Sequence, residues 1–129
     1  MKIKNIDHFV ITTENLEKCL DFYVGVLGME HVVKEGRHGL YFGTQKINIH
    51  TRPAEFLPAA KYPTYGSLDF CFIVEGKLED TIKELEEKGI PIEVGIVPQN
   101  GACGRMRSVY VRDPDFNLVE FSEYYLPSR

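Results

Sequence analysis

The chain is written twice. Residues 6–11, IDHFVI, lie over residues 67–72, SLDFCF, so that Phe9 falls on Phe70 and Ile11 on Phe72. Each of these strands is followed by an amphipathic helical stretch. The first carries Leu16, Leu20, Tyr23 and Leu27 and the second Leu78, Ile82 and Leu85, stripes of helical spacing. Each stripe ends in a glycine, Gly28 or Gly89, as a helix C-terminus favours. Three further strands follow in each half, with LYFG (40–43) over VYVR (109–112) and INIHT (47–51) over NLVEF (117–121). This alignment matches Tyr41 with Tyr110 and His50 with Glu120. The pattern predicts strands over 4–12, 29–35, 39–43, 45–51, 67–74, 91–96, 105–112 and 117–124, and helices over 14–27 and 77–88. A loop over 52–66 joins the halves, a glycine-containing loop spans 98–104, and GRHG (36–39) and RDPDFN (112–117) read as hairpin turns.

The expected fold class is therefore α+β, built from paired βαβββ modules. Residues 1–129 form one domain, with module one at about 4–52, a linker at about 53–66 and module two at about 67–125. A chain of 129 residues is long enough for a sizeable core.

Strand parity separates two faces. Phe9, Ile11, Phe70, Phe72, Ile47, Ile49, Val119 and Phe121 form apolar faces suited to lie under the helices. The opposite faces carry His8, His50, Asp69 and Glu120. Imidazole and carboxylate together are a ligand set for Fe, Mn, Ni, Co or Zn, and two histidines with one carboxylate suit an open-sided site. The bland alternative is four polar groups facing solvent on an open sheet.

IDHFVITTENLEKCLDFYVGVLGME and SVYVRDPDFNLVEF resemble the vicinal oxygen chelate superfamily, which includes glyoxalase I, fosfomycin-resistance enzymes, bleomycin-resistance proteins and extradiol dioxygenases. The middle segment FGTQKINIH is similar to that of small glyoxalase-domain proteins of the dioxygenase-related group. The resemblance implies a curled sheet cup, helices on its outer face, around a divalent metal. It implies ligands at His8 and Glu120; the four-ligand glyoxalase arrangement would add His50 and Asp69. The chain departs from the family where Asp69 replaces the usual histidine and His50 the frequent glutamate. His8, His50 and Glu120 are the favoured ligands, with Asp69 a ligand, a support for a histidine or a general base; Glu120 and Asp69 are the expected catalytic carboxylates. Phe116 replaces the family's usual glycine in DPDGN, so the turn is expected to take another geometry.

Ser108 and Tyr110 stand where fosfomycin enzymes place hydroxyl contacts to substrate. By parity they share a face with Met106. Tyr41 would face them from the other half, and Arg107 could reach an anionic substrate. His31 and His38 read as surface residues.

The expectation is a metal-dependent enzyme acting on a small oxygenated substrate by lyase, isomerase or dioxygenase chemistry. The alternative is a metal-free small-molecule binder of the bleomycin-resistance type. Single-domain members imply a homodimer, with His8 and His50 from one chain meeting Asp69 and Glu120 of the other, or the two halves pairing within one chain. A net charge of −4 without a basic run argues against nucleic acid as a partner. No apolar run approaches the ~20 residues that span a bilayer, so no membrane is expected. The three cysteines, odd in number and without motif spacing, suit a reducing, cytoplasmic compartment.

Overall fold

The computed structural model describes residues 1–125. It is an α+β fold of two open, four-stranded mixed sheets and two helices. The chain divides into two compact units: Met1–Ser67 with Pro114–Phe116, and Leu68–Asp113 with the described residues from Asn117 onward.

In the first unit β1 (His8–Thr12), β2 (Glu30–Lys34), β3 (Arg37–Phe42) and β4 (Gln45–His50) form a sheet in the order β1-β4-β3-β2. β1 runs parallel to β4, and the two hairpins are antiparallel. A parallel pair needs a crossover longer than a hairpin, and the helix supplies it. The helix begins as α1 (Leu16–Leu20), capped by the Asn15 side chain, which accepts from Lys18 N–H at 3.0 Å.

It continues as a π-helical segment over Asp21–Val26, a feature the regular apolar spacing did not reveal. Leu27 N–H donates to Phe22 C=O, five residues back. The wider turn lets the consecutive rings Phe22 and Tyr23 both point inward; they meet edge to face at 4.9 Å. With Ile11, Cys19, Leu40, Ile47 and Ile49 they fill the apolar side of the unit. Gly28 then takes φ 77°, which suits a residue without Cβ. The first hairpin turns at Glu35–Gly36, both at positive φ, two positions earlier than the GRHG reading.

The segment 53–66, expected as a linker, belongs to the first unit. Glu55 accepts from the Thr51 amide at 2.7 Å and hydroxyl at 2.8 Å, and Phe56 packs edge to face on His50 at 5.3 Å.

The second unit repeats the design with β5 (Asp69–Ile73), α2 (Leu78–Glu87), β6 (Val94–Gly101), β7 (Gly104–Arg112) and β8 (Leu118–Tyr124), in the order β5-β8-β7-β6. Leu78 and Leu85 of α2 are buried with Val109, Val111, Val119 and Phe121. The expected loop at 98–104 is largely strand: β6 and β7 pair as far as Gly101 and Gly104. Phe116 sits at φ 68°, the left-handed conformation that a bulky residue was expected to avoid. The ends of this turn are clamped, since Asp113 accepts from Asn117 N–H at 2.9 Å and from its side-chain amide at 2.8 Å. At its tip Asp115 accepts from Thr13 Oγ1 at 2.6 Å and Glu14 N–H at 2.9 Å.

Candidate functional site

Each sheet has one face buried and one open, and His8, His50, Asp69 and Glu120 stand on the open faces. On the second sheet Glu120 pairs with Cys71 across to β5 and with Tyr110 across to β7. Asp69 is its diagonal neighbour, paired with Leu118. Asp69, Tyr110, Leu118 and Glu120, with Glu93 and Val94, line a shallow hollow of about 380 Å³.

Glu120 is held by a relay of donors. Its Oε2 accepts from Ser122 Oγ at 2.9 Å. Because a carboxylate accepts and does not donate, the Ser122 proton is committed to it. Ser122 Oγ therefore receives the Ser108 hydroxyl at 2.6 Å and the Cys71 thiol at 3.2 Å. Ser108 and Ser122 are fully buried. Burial pushes the Cys71 thiol up, with the nearby Glu120 charge acting the same way against the hydrogen bond to Ser122. Burial, then the Glu120 charge, push the Tyr110 phenol up as well. Tyr110 Oη accepts from Gln99 Nε2 at 2.9 Å. The cross-strand neighbours of Glu120, Cys71 and Tyr110, thus hold their protons more tightly than usual. Ser122, Cys71 and Gln99 were missed as members of this network.

Arg107, expected as a substrate contact, lies on the opposite face. Parity forces this, since Ser108 and Tyr110 point the other way. Its guanidinium is bound by Glu79 of α2 and by Glu123 of β8 at 2.7 Å. The Arg107 hydrogen bond draws Glu79 down to about 2. Arg107 therefore ties helix to sheet, on the face away from Ser108 and Tyr110.

In the first unit His8 Nδ1 lies 2.7 Å from Asp7 Oδ1. A carboxylate there accepts from Nδ1–H, and in the neutral ring this leaves Nε2 to accept. His50 stands on the same face of the sheet but is not brought to His8. His8 is opposite Lys46, and His50 is opposite Thr12, four residues further on. That is about 13 Å along the strand, while side chains stand perpendicular to it.

The register also corrects the internal alignment. His8 opposes Lys46 as Asp69 opposes Leu118, so Asn48 is the counterpart of Glu120 and His50 that of Ser122. Tyr41 pairs with Lys46 and Arg112 with Leu118, which makes Arg112 the counterpart of Tyr41. His31 and His38, read as surface residues, stack at 5.1 Å with Nε2 and Nδ1 2.8 Å apart.

Among the described residues no three His, Cys, Asp or Glu side chains converge closely enough to hold a metal as a set. Asp69 and Glu120 are hard oxygen donors and His8 offers a nitrogen, which fits a divalent ion in kind. Neither unit supplies three such donors together.

Two βαβββ units, each with a helix-covered face and an open ionisable face, define a duplicated α+β scaffold. The chain belongs to the glyoxalase/bleomycin resistance protein/dioxygenase superfamily, whose family model matches residues 5–121. Members bind small-molecule substrates, often act as dimers and typically use divalent metals. A virulence protein of Salmonella typhimurium is 45% identical over 125 residues, covering 96% of this chain and 87% of its own. Its crystal structure matches with a TM-score of 0.94 at 44% identity, covering 97% of this chain and 100% of that one. A glyoxalase domain-containing protein of Mycosarcoma maydis is 45% identical over 125 residues, covering 96% of this chain and 70% of that protein. A biphenyl-2,3-diol 1,2-dioxygenase of Rhodococcus globerulus is 34% identical over 119 residues, covering 88% and 60% of the two chains. No helix among the described residues is long and apolar enough to cross a membrane.

Proposed function

We propose that the chain is a metal-dependent enzyme acting on a small oxygenated substrate chelated to a divalent ion, by lyase, isomerase or dioxygenase chemistry. The observation that carries this reading is the fixed Glu120 carboxylate. Its Oε2 is oriented by a buried Ser108–Ser122 relay, the kind of support that holds a ligating carboxylate in place. His8, with its proton held on Nδ1 by Asp7, is the proposed nitrogen ligand. When bound, the ion supplies Lewis acidity to a substrate oxygen.

Asp69, diagonal to Glu120, is a further ligand or the base that takes a substrate proton. Tyr110 keeps its proton and donates to substrate oxygen, and Ser108 acts through Ser122. His50 belongs to the groove of the first sheet in this reading, not to the ligand set, because of its distance along β4 from the neighbour of His8. We propose a homodimer and a cytoplasmic location; the thiols of Cys19, Cys71 and Cys103 suit a reducing compartment.

Metal analysis of protein purified without an affinity tag tests the reading. Wild type is expected to carry near-stoichiometric divalent metal. Glu120→Gln and His8→Ala should lose it, and His50→Ala should keep it. No metal in wild type after reconstitution would sink the proposal and favour a metal-free binding protein.

A further inference from the structure

Three cations converge on the open face of the first sheet from three different strands. Lys34 of β2, Arg37 of β3 and Lys46 of β4 line a groove of about 220 Å³ together with Tyr41, His50 and Phe56. The Lys34 and Lys46 ammonium groups lie 5.9 and 5.7 Å from the centre of the Tyr41 ring, and the Arg37 guanidinium lies 4.3 Å from that of Phe56. Aromatic faces attract cations and hold these three at the rim of one hollow.

Their charges are not neutralised by ion pairs. Arg52, Lys88, Arg107 and Arg112 each have a carboxylate within ion-pair distance, but among the described residues Lys34, Arg37 and Lys46 do not. Glu35, in the hairpin turn, is the one acid that lines the groove. In a chain of net charge −4, this excess of positive charge runs against the overall balance. At the position that carries the Glu120 carboxylate in the second sheet, this sheet has the neutral amide of Asn48, which also lines the groove.

Cations around a concave surface focus potential and concentrate anions. The Arg37 fork matches the paired oxygens of a carboxylate or phosphate. The volume falls below the range of about 300–1,000 Å³ usual for drug-sized ligands, so a compact occupant fits.

We infer that this groove binds a small oxyanion, a phosphate, phosphonate or dicarboxylate group carried by the substrate. Lys46 is the cross-strand neighbour of His8, so the anion would be held one strand away from the proposed nitrogen ligand. Assigning the anion to the substrate rests on the metal-dependent reading; anion binding itself does not require the metal.

The test is calorimetric titration of inorganic phosphate, and separately of malonate, into metal-stripped and metal-loaded protein, with sodium chloride keeping ionic strength constant. Saturable binding of at least one probe is expected in both forms. It should weaken at least tenfold in Arg37→Gln/Lys46→Gln and stay unchanged in the control Lys83→Gln on α2. Lys34→Gln should weaken binding severalfold and serves if the double variant does not fold. Which probe binds identifies the oxyanion. No saturable binding beyond matched chloride, or equal binding in the groove variants and wild type, would overturn the inference. Metal content of the same samples separates the two proposals: metal without anion binding overturns the groove, and anion binding without metal overturns the metal site while the groove stands.

Discussion

The Ser108–Ser122–Glu120 relay makes a quantitative prediction. Ser122→Ala removes the donor to Glu120 and the acceptor of the buried Ser108 hydroxyl. A hydrogen bond to a charged group contributes about 1.5–3 kcal/mol, and an orphaned buried donor costs about 1–3 kcal/mol. Glu120 is half-buried, so water replaces part of the first loss. The expected destabilisation is about 3 kcal/mol. Ser108→Ala removes a donor and leaves Ser122 committed to Glu120, which should cost about 1 kcal/mol. The double variant has no orphaned Ser108 hydroxyl. It should therefore be no worse than Ser122→Ala, giving a coupling of about 1 kcal/mol or more. Urea unfolding of the four proteins at neutral pH measures the cycle. If the double variant equals the sum of the singles within about 0.5 kcal/mol, the hydroxyls are independent and the relay does not orient Glu120.

Stability should also respond to acid. Glu79, Glu93 and Glu123 are all lowered, Glu79 by Arg107 to about 2, Glu93 by Arg112, and Glu123 first by the Leu78 amide and then by Arg107. Groups whose carboxyls are depressed in the folded state contribute stability that is complete above the ordinary value near 4.5 and is lost as pH falls through the lowered values. Urea midpoints should fall between pH 5 and about 2, and the fall should be shallower in Arg107→Gln; an identical slope in the variant would refute the assignment. Gly66, at φ 67°, would place a Cβ in collision with the Asp115 carbonyl oxygen. Gly66→Ala should destabilise by about 2–4 kcal/mol in thermal unfolding, and a neutral result would mean the DPD turn yields freely.

Much of the fold was legible because alternation in strands and helical spacing report which side chains are buried. The apolar faces of β1, β4, β5 and β8 and the buried side of α2 follow directly. The limits have the same origin. Side chains repeat every two residues, so shifting one strand by two preserves its faces while changing every cross-strand neighbour. That is how His50 came to be matched with Glu120 when the backbone pairs that role with Asn48. Arg107 was decidable in advance, since the parity that puts Ser108 and Tyr110 on one face puts Arg107 on the other. The π-helical segment was not, because the wider turn lets Phe22 and Tyr23 point inward together and no regular spacing records it. The basic groove was hidden because Lys34, Arg37 and Lys46 are neighbours across strands and not along the chain.

Duplication leaves the two copies free to diverge in charge while sharing one backbone plan. One open face carries acids, Asp69, Glu93 and Glu120, around its hollow; the other carries Lys34, Arg37 and Lys46 around its groove. The groove favours anions, and the hollow, where Arg112 pairs with Glu93, favours them less. The chain therefore has two chemically distinct halves despite its internal symmetry.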